Sequence, residues 1–266
     1  MKPIKLYWWR GDGAENPALQ NFGDYLSPLM VELVARRPVV FAPVEQADLF
    51  AIGTILKRER KARRFFLPRR LHIWGSGAGD AEERFSGRHF YHAVRGSFTR
   101  ERIQPAPSTP PVLGDPGLLV RDYWSARPRP EKRYSLGIIP HFVDHDSAAV
   151  AQLLSIPGSR LINVFSPIDD ILADVMRCHF IVSSSMHGLI VSDALGIPNR
   201  RIVISGRIKS SEKFADYYSA FGMKEPAWLN AESIQGITDP AELVADYETR
   251  DVDRVCSDLI RAFPDL

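Results

Sequence analysis

Residues 181–198 constrain the fold of this chain more than any other segment. An apolar run ends at three serines, and a helix-like pattern of apolar residues begins again at His187. That order predicts a buried strand followed directly by a helix, the unit from which parallel α/β folds are built. A strand that points its carboxyl end at a helix start leaves backbone N–H groups without partners, at the positive end of the helix dipole. The segment therefore predicts an anion site that takes phosphate or carboxylate.

His187 falls in the first turn of this predicted helix. Its imidazole can donate a hydrogen bond to a bound anion or transfer a proton to a reacting atom. A purely structural interpretation also fits, because Ser183, Ser184 and Ser185 are good helix caps and a histidine beside a cap is often a packing residue. The spacing alone leaves both interpretations open.

The rest of the chain repeats the alternation of short apolar runs and helix-period segments, which favours an α/β fold with parallel sheets. Strands are predicted at residues 6–9, 48–55, 71–74, 91–94, 136–139, 161–165 and 201–204. Helices are predicted at residues 25–35, 147–154 and 251–263, and from about residues 97, 166, 187 and 213 onward. Asp24, Ser97 and Ser166 are the expected caps of three of these helices. The glycines of residues 75–79 lack the GxGxxG spacing of a dinucleotide site.

Residues 121–133 are rich in proline and charge and show no hydrophobic period, as expected of a connector. A chain of 266 residues with 45% hydrophobic content can bury two cores of ordinary size. We therefore expect an N-terminal lobe at residues 1–122, on the acceptor side, and a C-terminal lobe at residues 134–266, on the donor side. The last helix is expected to pack back on the first lobe.

Charge and cysteine content narrow the possible partners. A formal net charge of +2 is too small for a nucleic-acid-binding surface, so a small anion is the expected partner. Cys178 and Cys256 have neither disulfide-framework nor zinc-site spacing, which fits a reducing cytoplasm. No carboxylate cluster suggests a metal site. We expect neither a secretory signal nor a membrane span, because charge interrupts the first residues and no run reaches eighteen apolar residues.

A basic run at residues 57–70 has two interpretations. It is a solvated surface segment, or it holds the protein against anionic lipid headgroups through its basic residues and the adjacent Phe65, Phe66 and Leu67. The second interpretation places the protein at the inner face of the cell membrane.

Seven motifs in chain order make the sequence similar to the polysaccharide pyruvyl transferases, among them the ketal pyruvate transferase that modifies xanthan. They lie at residues 21–24 (NFGD), 74–77 (WGSG), 94–96 (VRG), 114–119 (GDPGLL), 140–142 (PHF), 183–190 (SSSMHGLI) and 216–218 (DYY). The resemblance covers almost the whole chain. It implies a GT-B-like fold, with two Rossmann-type lobes facing a cleft. It also implies transfer of pyruvate from phosphoenolpyruvate, the donor substrate, to two sugar hydroxyls of a lipid-linked oligosaccharide, with no cofactor.

The resemblance further implies roles for individual residues. Donor binding would fall to Arg95, Ser184, Ser185, Met186 and His187. Arg95 could instead form an ordinary ion pair.

His187 is also the expected general acid, or the group that stabilises departing phosphate. Asp24 and His141 are the candidates for the base, although Asp24 could only cap its helix and His141 could be a core histidine. Asn21, Lys213 and Tyr217 would contact the donor phosphate or the sugar.

Two other classes of function stay open from the sequence. A GT-B glycosyltransferase that uses a nucleotide sugar would have nearly the same fold, with Asp193 close to the position of a ribose-binding glutamate. A carbohydrate-binding protein without turnover could also use this scaffold.

Overall fold

A computed structural model describes residues 2–11, 21–64, 67–205, 212–230 and 233–266. Two separate parallel sheets form the centres of two α/β lobes of Rossmann-like type, so the predicted fold class is confirmed. The strands of the first sheet lie between residues 4 and 113, and those of the second lie between residues 134 and 230. The division into domains at residues 121–133 stays a prediction, and part of that segment is helical.

The first lobe contains ten strands and three helices among the described residues. The strands are β1 (Ile4–Tyr7), β2 (Val39–Phe41), β3 (Leu49–Phe50), β4 (Arg63–Arg64), β5 (Leu67–Pro68), β6 (His72–Trp74), β7 (Phe85–Ser86), β8 (Phe90–Val94), β9 (Ile103–Gln104) and β10 (Val112–Leu113). The helices are α1 (Phe22–Ala35), α2 (Ser97–Glu101) and α3 (Val120–Trp124), with 3-10 turns at Leu56–Lys61 and Pro116–Leu119. Six strands form one parallel sheet in the order β10-β8-β6-β3-β1-β2. Strands β4 and β5 form a small antiparallel pair, and β7 and β9 a parallel one.

The second lobe is built around five parallel strands in the order β12-β11-β13-β14-β15. They are β11 (Tyr134–Ile139), β12 (Ser159–Leu161), β13 (Cys178–Ser183), β14 (Asn199–Val203) and β15 (Leu229–Asn230). The helices are α4 (Ala148–Leu154), α5 (Ile168–Arg177), α6 (Met186–Ala194), α7 (Glu212–Ser219) and α8 (Val252–Arg261), with 3-10 turns at Phe142–Asp144 and Pro240–Val244.

Both sheets reverse their strand order beside their first strand. In the first lobe β1 lies between β2 and β3, and in the second lobe β11 lies between β12 and β13. Open parallel sheets bind ligands outside the carboxyl ends of the strands at such a reversal. The segments that follow β1, β3, β11 and β13 are therefore where this fold favours a ligand.

The two lobes share one hydrophobic core. Leu26 and Trp74 of the first lobe belong to the same buried cluster as Ile139 and Ile190 of the second. Helix α8 returns to the first lobe, where the Trp74 indole N–H donates to the carbonyl of Leu259 at 2.9 Å. The two lobes therefore pack directly against each other beside the cleft.

The helix starts differ from their predicted positions. Helix α1 is capped at Asn21, so Asp24 lies in the first turn and is not the cap. Helix α2 is capped at Gly96 instead of Ser97, and α5 at Pro167 instead of Ser166. The extended backbone at each of these positions sets the helix start without a side-chain cap.

Two predicted strands are also shorter or shifted. Strand β12 ends at Leu161, because the Asn163 side chain accepts a hydrogen bond from the Phe165 N–H at 3.0 Å and turns the chain there. Strand β3 covers only Leu49–Phe50 of the predicted 48–55, and the following residues bend toward the cleft. Within the described ranges, no helix has both the length and the apolar content needed to cross a bilayer.

Candidate active site

A pocket of about 620 Å³ lies between the two lobes. The first lobe contributes Trp9, Gly11, Asn21, Asp24, Gly53, Thr54, Ile55, Lys57 and Arg58, and the second contributes His141, Phe142, Phe165, Ser185, Met186, His187 and Lys213. Most of these residues follow β1, β3, β11 or β13, at the strand-order reversals of the two sheets. Seven predicted site residues therefore line this one pocket: Asn21, Asp24, His141, Ser185, Met186, His187 and Lys213.

The start of helix α6 faces this pocket. Ser185 is its N-cap and makes no side-chain capping bond, and Met186 and His187 are its first two residues. The first-turn N–H groups of a helix have no intrahelical acceptor, and the dipole of this nine-residue helix adds positive charge there. The start of α6 therefore lies at the pocket with the geometry that favours an anion, and the anion site itself stays a prediction.

The first two serines of the run hold this turn in place. Ser183 Oγ donates to the Ile139 carbonyl at 2.7 Å and accepts from the Ser185 N–H at 3.0 Å. Ser184 Oγ donates to Asp144 Oδ2 at 2.9 Å and accepts from the His141 N–H at 2.8 Å. The predicted contact of the Ser184 hydroxyl with a donor does not match this geometry, because that hydroxyl already joins two loops of the protein.

His187 is buried against the first lobe. Burial, together with the charges of Lys213 and Arg95, lowers the pKa of His187 to about 3, so the imidazole is neutral at physiological pH. Its Nε2 is buried and has no hydrogen-bond partner among the described residues. A neutral imidazole at the pocket can donate a hydrogen bond to a ligand, but it lacks the extra proton that a strong general acid carries.

Asp24 is the group on this wall that titrates near neutrality. Burial raises the pKa of Asp24 to about 7, although the Asn21 amide, 3.4 Å from Asp24 Oδ2, and the charge of Lys213 act in the opposite direction. A carboxyl with this pKa can deliver a proton and take one back at physiological pH.

His141 is less suited to proton transfer. Burial and the charge of Lys213 lower the pKa of His141 to about 4. Its Nδ1 accepts from the Val143 N–H at 3.4 Å, which places the imidazole proton on Nε2. His141 is therefore a hydrogen-bond donor at the pocket and a weak base.

Lys213 brings a cation to the wall from the first turn of α7. Burial, followed by the charges of Arg95 and Arg201, lowers the pKa of Lys213 to about 8, and Asp24 opposes that shift. The ammonium group stays mostly protonated at neutral pH, so it can pair with a bound anion.

Arg95 lies behind the pocket wall and not on it. Its side chain is fully buried, and its Nε and Nη2 each lie 3.0 Å from Asp216 Oδ2. Nη2 also donates to the Ala78 carbonyl at 2.6 Å, and Nη1 to Thr54 Oγ1 at 3.3 Å. The predicted bidentate contact of Arg95 with a donor does not match this geometry, since every guanidinium nitrogen already has a protein acceptor.

Tyr217 is likewise a core residue. Its side chain is fully buried, and its hydroxyl donates to Asp193 Oδ2 at 2.8 Å. Tyr217 does not line the pocket in this arrangement, and its contact with a sugar stays a prediction. Asp193 also accepts from Asn199 at 2.7 Å, so it is not placed to bind a ribose.

Six residues to which the sequence analysis gave no role in the site also line the pocket. They are the aromatic residues Trp9, Phe142 and Phe165, the basic residues Lys57 and Arg58, and Thr54. The available signal was their position near the carboxyl ends of predicted strands, where Trp9, Thr54 and Phe165 are among the last residues and Lys57 and Arg58 follow. Phe142 lies beside His141.

Close glycine contacts join motifs that are far apart in sequence. A Cβ on Gly23 would lie 2.2 Å from His187 Nδ1, and a Cβ on Gly77 would lie 2.3 Å from Arg95 Cζ. A Cβ on Gly96 would lie 1.8 Å from the Asp216 carbonyl oxygen. The motifs of the two lobes therefore meet around one site.

Fold and site together define a two-lobed α/β protein with a pocket between the two sheets. Residues 21–206 match the model of the polysaccharide pyruvyl transferase family, and the chain belongs to that family. The succinoglycan biosynthesis protein ExoV of Rhizobium meliloti (strain 1021) is 25% identical over 235 residues, covering 83% of this chain and 66% of ExoV.

A second relative is the uncharacterized protein L143 of Acanthamoeba polyphaga mimivirus. It is 33% identical over 143 residues, covering 50% of this chain and 48% of that protein. The chain thus spans about half the length of L143 and just under two thirds of ExoV.

Proposed function

We propose that this protein transfers the pyruvyl group of phosphoenolpyruvate to two hydroxyls of an exopolysaccharide sugar, forming a ketal and releasing phosphate. One observation carries the proposal: the start of α6, the Lys213 ammonium and the Asp24 carboxyl line the same pocket. Membership of the polysaccharide pyruvyl transferase family supports it.

The donor needs a site for two anionic groups. In our proposal the first-turn N–H groups of Met186 and His187 bind one of them, and Lys213 pairs with the other. Arg95 contributes through its charge from behind Thr54, without contacting the donor.

The reaction begins with a proton transfer from the Asp24 carboxyl to the methylene carbon of phosphoenolpyruvate, which becomes a methyl group. The adjacent carbon, now cationic, is attacked by one sugar hydroxyl, and the Asp24 carboxylate takes that hydroxyl's proton. The bond from this carbon to the phosphate oxygen then breaks and phosphate leaves with its electron pair. The second hydroxyl closes the ketal and releases its proton to phosphate or water. A pKa of about 7 lets Asp24 serve as both acid and base in this sequence.

The histidines act as hydrogen-bond donors in this scheme. His187 Nε2, buried without a protein partner, donates to an oxygen of the departing phosphate. Of the two roles expected from the sequence, we propose the stabilisation of departing phosphate, because a neutral imidazole is a poor proton source. His141 donates to the sugar or to the donor carboxylate.

We further propose that the acceptor is a lipid-linked oligosaccharide and that the basic run at residues 57–70 approaches the membrane that carries it. Lys57 and Arg58 of this run line the pocket, and Leu67 is 74% exposed on β5. Phe65 and Phe66 lie outside the described residues. Basic and apolar side chains side by side favour contact with an anionic bilayer.

The test is a transfer reaction in D2O with phosphoenolpyruvate and oligosaccharides that end in glucose, galactose or mannose. We expect phosphate release and a new methyl group that carries one deuterium, both abolished by Asp24→Asn. The matched control Asp80→Asn, at an exposed carboxylate outside the pocket, keeps full activity. Turnover of a nucleotide sugar with no reaction of phosphoenolpyruvate would overturn the proposal in favour of a glycosyltransferase.

A further inference from the structure

Exposed aromatic rings border the pocket from both lobes. Trp9 follows β1 and is 37% exposed, and Phe142 follows β11 and is 48% exposed. Both line the pocket that contains Asp24 and His187. Large apolar side chains left open to solvent inside a cleft mark a surface that a ligand covers.

Each of these rings is held in place by a neighbour. The Arg58 guanidinium lies over the Trp9 ring at 4.3 Å, and Phe142 packs against His141 with ring centroids 4.4 Å apart. The ring centroids of Phe165 and Phe142 are 6.4 Å apart, and Phe165 also lines the pocket. Ordered aromatic faces bind a flat apolar surface at low entropic cost, and the C–H face of a pyranose is such a surface.

The basic residues beside the rings add a charge preference. Lys57 and Arg58 belong to the 3-10 turn Leu56–Lys61, which is anchored in the first lobe by the buried Glu59 through its contact with His89. Among the described residues that line the pocket, Asp24 is the only carboxylate, and it is partly exposed. The cations Lys57, Arg58 and Lys213 outnumber it, so the lining is mainly aromatic and cationic.

We infer that Trp9, Lys57, Arg58 and Phe142 form the acceptor subsite, and that it takes an acidic saccharide. A hexose ring lies against the aromatic faces, and an anionic group attached to it pairs with Lys57 and Arg58. This inference rests on the proposed function, because it assigns the acceptor of the same reaction. The anion is either a sugar carboxylate or the diphosphate that links a glycan to its carrier, and these share the chemistry that the two cations recognise.

Binding measurements on the intact chain test this subsite. The first set of probes is three neutral disaccharides that end in glucose, galactose or mannose. The second set replaces the terminal hexose of each with the corresponding hexuronic acid, and the third set carries each neutral disaccharide as the 1-diphosphate ester of a short prenyl alcohol. We expect at least one acidic probe to bind about tenfold more tightly than its neutral counterpart. A preference for the hexuronic acids identifies a sugar carboxylate, and a preference for the diphosphates identifies the carrier linkage.

Variants separate the aromatic and the charged contributions. Lys57→Gln should remove most of the preference for the acidic probe, whereas Lys61→Gln, on the same turn but outside the pocket, keeps it. Trp9→Ala should weaken the binding of neutral and acidic probes alike, by about tenfold or more. Its matched control is Trp228→Ala, because Trp228 is also half exposed and stacked under an arginine, at 5.1 Å, but lies outside the pocket.

Binding of phosphoenolpyruvate to each variant, measured by thermal shift, separates the acceptor subsite from the proposed donor. Equal affinity for neutral and acidic probes, no saccharide binding at all, or an unchanged preference in Lys57→Gln would overturn the acceptor subsite, even if phosphoenolpyruvate binds. Saccharide binding without any binding of phosphoenolpyruvate would overturn the proposed donor and leave the subsite standing.

Discussion

The contact between Gly23 and His187 gives the sharpest prediction. A Cβ at position 23 would lie 2.2 Å from Nδ1 and 2.5 Å from Cγ of His187, where an ordinary contact needs 3.4 Å or more. The imidazole of a Gly23→Ala variant must therefore move by about 1 Å. A displacement of that size in a group that contacts the reacting atoms costs roughly 100-fold in rate.

The same substitution has a stability signature that isolates this contact. Overpacking a buried site costs about 1–3 kcal/mol, whereas replacing glycine by alanine in a helix gains up to about 1 kcal/mol when the site has room. Gly23→Ala should therefore lower the free energy of unfolding in the wild-type background. In a His187→Gly background every side-chain atom that the new Cβ would meet is gone, and Gly23→Ala should be neutral or stabilising.

A double-mutant cycle followed by urea denaturation measures this difference, and kcat at saturating phosphoenolpyruvate measures the catalytic effect. An equal stability cost in both backgrounds would refute the assigned contact. A Gly23→Ala enzyme with unchanged kcat would refute the role of His187 in turnover.

Three further predictions concern the charges of the site. Burial raises the pKa of Asp24 from its ordinary value of 3.8 to about 7, so the wild-type protein loses stability as pH rises from 3.8 through 7. Asp24→Asn lacks this loss and should therefore gain stability over wild type between pH 4 and pH 8, by up to about 4 kcal/mol. Urea denaturation across that range checks this, and a constant difference would contradict it. Since the pKa of Lys213 is lowered to about 8, the affinity for phosphoenolpyruvate, measured by calorimetry, should fall as pH rises through 8. Lys213→Gln should lose this pH dependence and roughly 10-fold to 100-fold in affinity, whereas the control Lys224→Gln, at an exposed lysine, should not. A Lys213→Gln protein with wild-type affinity would exclude the ion pair. Arg95→Lys keeps the charge but loses the hydrogen bonds to Thr54 and Ala78, so it should destabilise the fold by about 2–4 kcal/mol and change the affinity for phosphoenolpyruvate by less than about threefold. A folded variant that no longer binds phosphoenolpyruvate would instead support a direct contact between Arg95 and the donor.

The segment at residues 181–198 shows what the sequence could predict. An apolar run, three serines and a renewed helical period specify a strand, a turn and a helix from local chemistry alone, and β13 and α6 appear there. The alternation of such units also specified the fold class, because parallel sheets need helical crossovers.

Local sequence patterns could not predict the contacts between residues that are far apart in the chain. Arg95 looked like an exposed cation at a strand end, yet Asp216, 121 residues away, pairs with it inside the protein. The pKa of Asp24 depends on burial by both lobes, and the aromatic wall exists only because Trp9 and Phe142 follow strands of two different sheets. Periodicity identifies which face of an element is buried, but not which partner covers it.

A crystal structure with bound phosphoenolpyruvate tests the central claim most directly. We predict donor oxygens within about 3.2 Å of the backbone nitrogens of Met186 or His187 and of Lys213 Nζ, with the methylene carbon facing Asp24. Phosphoenolpyruvate bound outside this pocket, or a nucleotide sugar seated at the start of α6 in its place, would contradict the account.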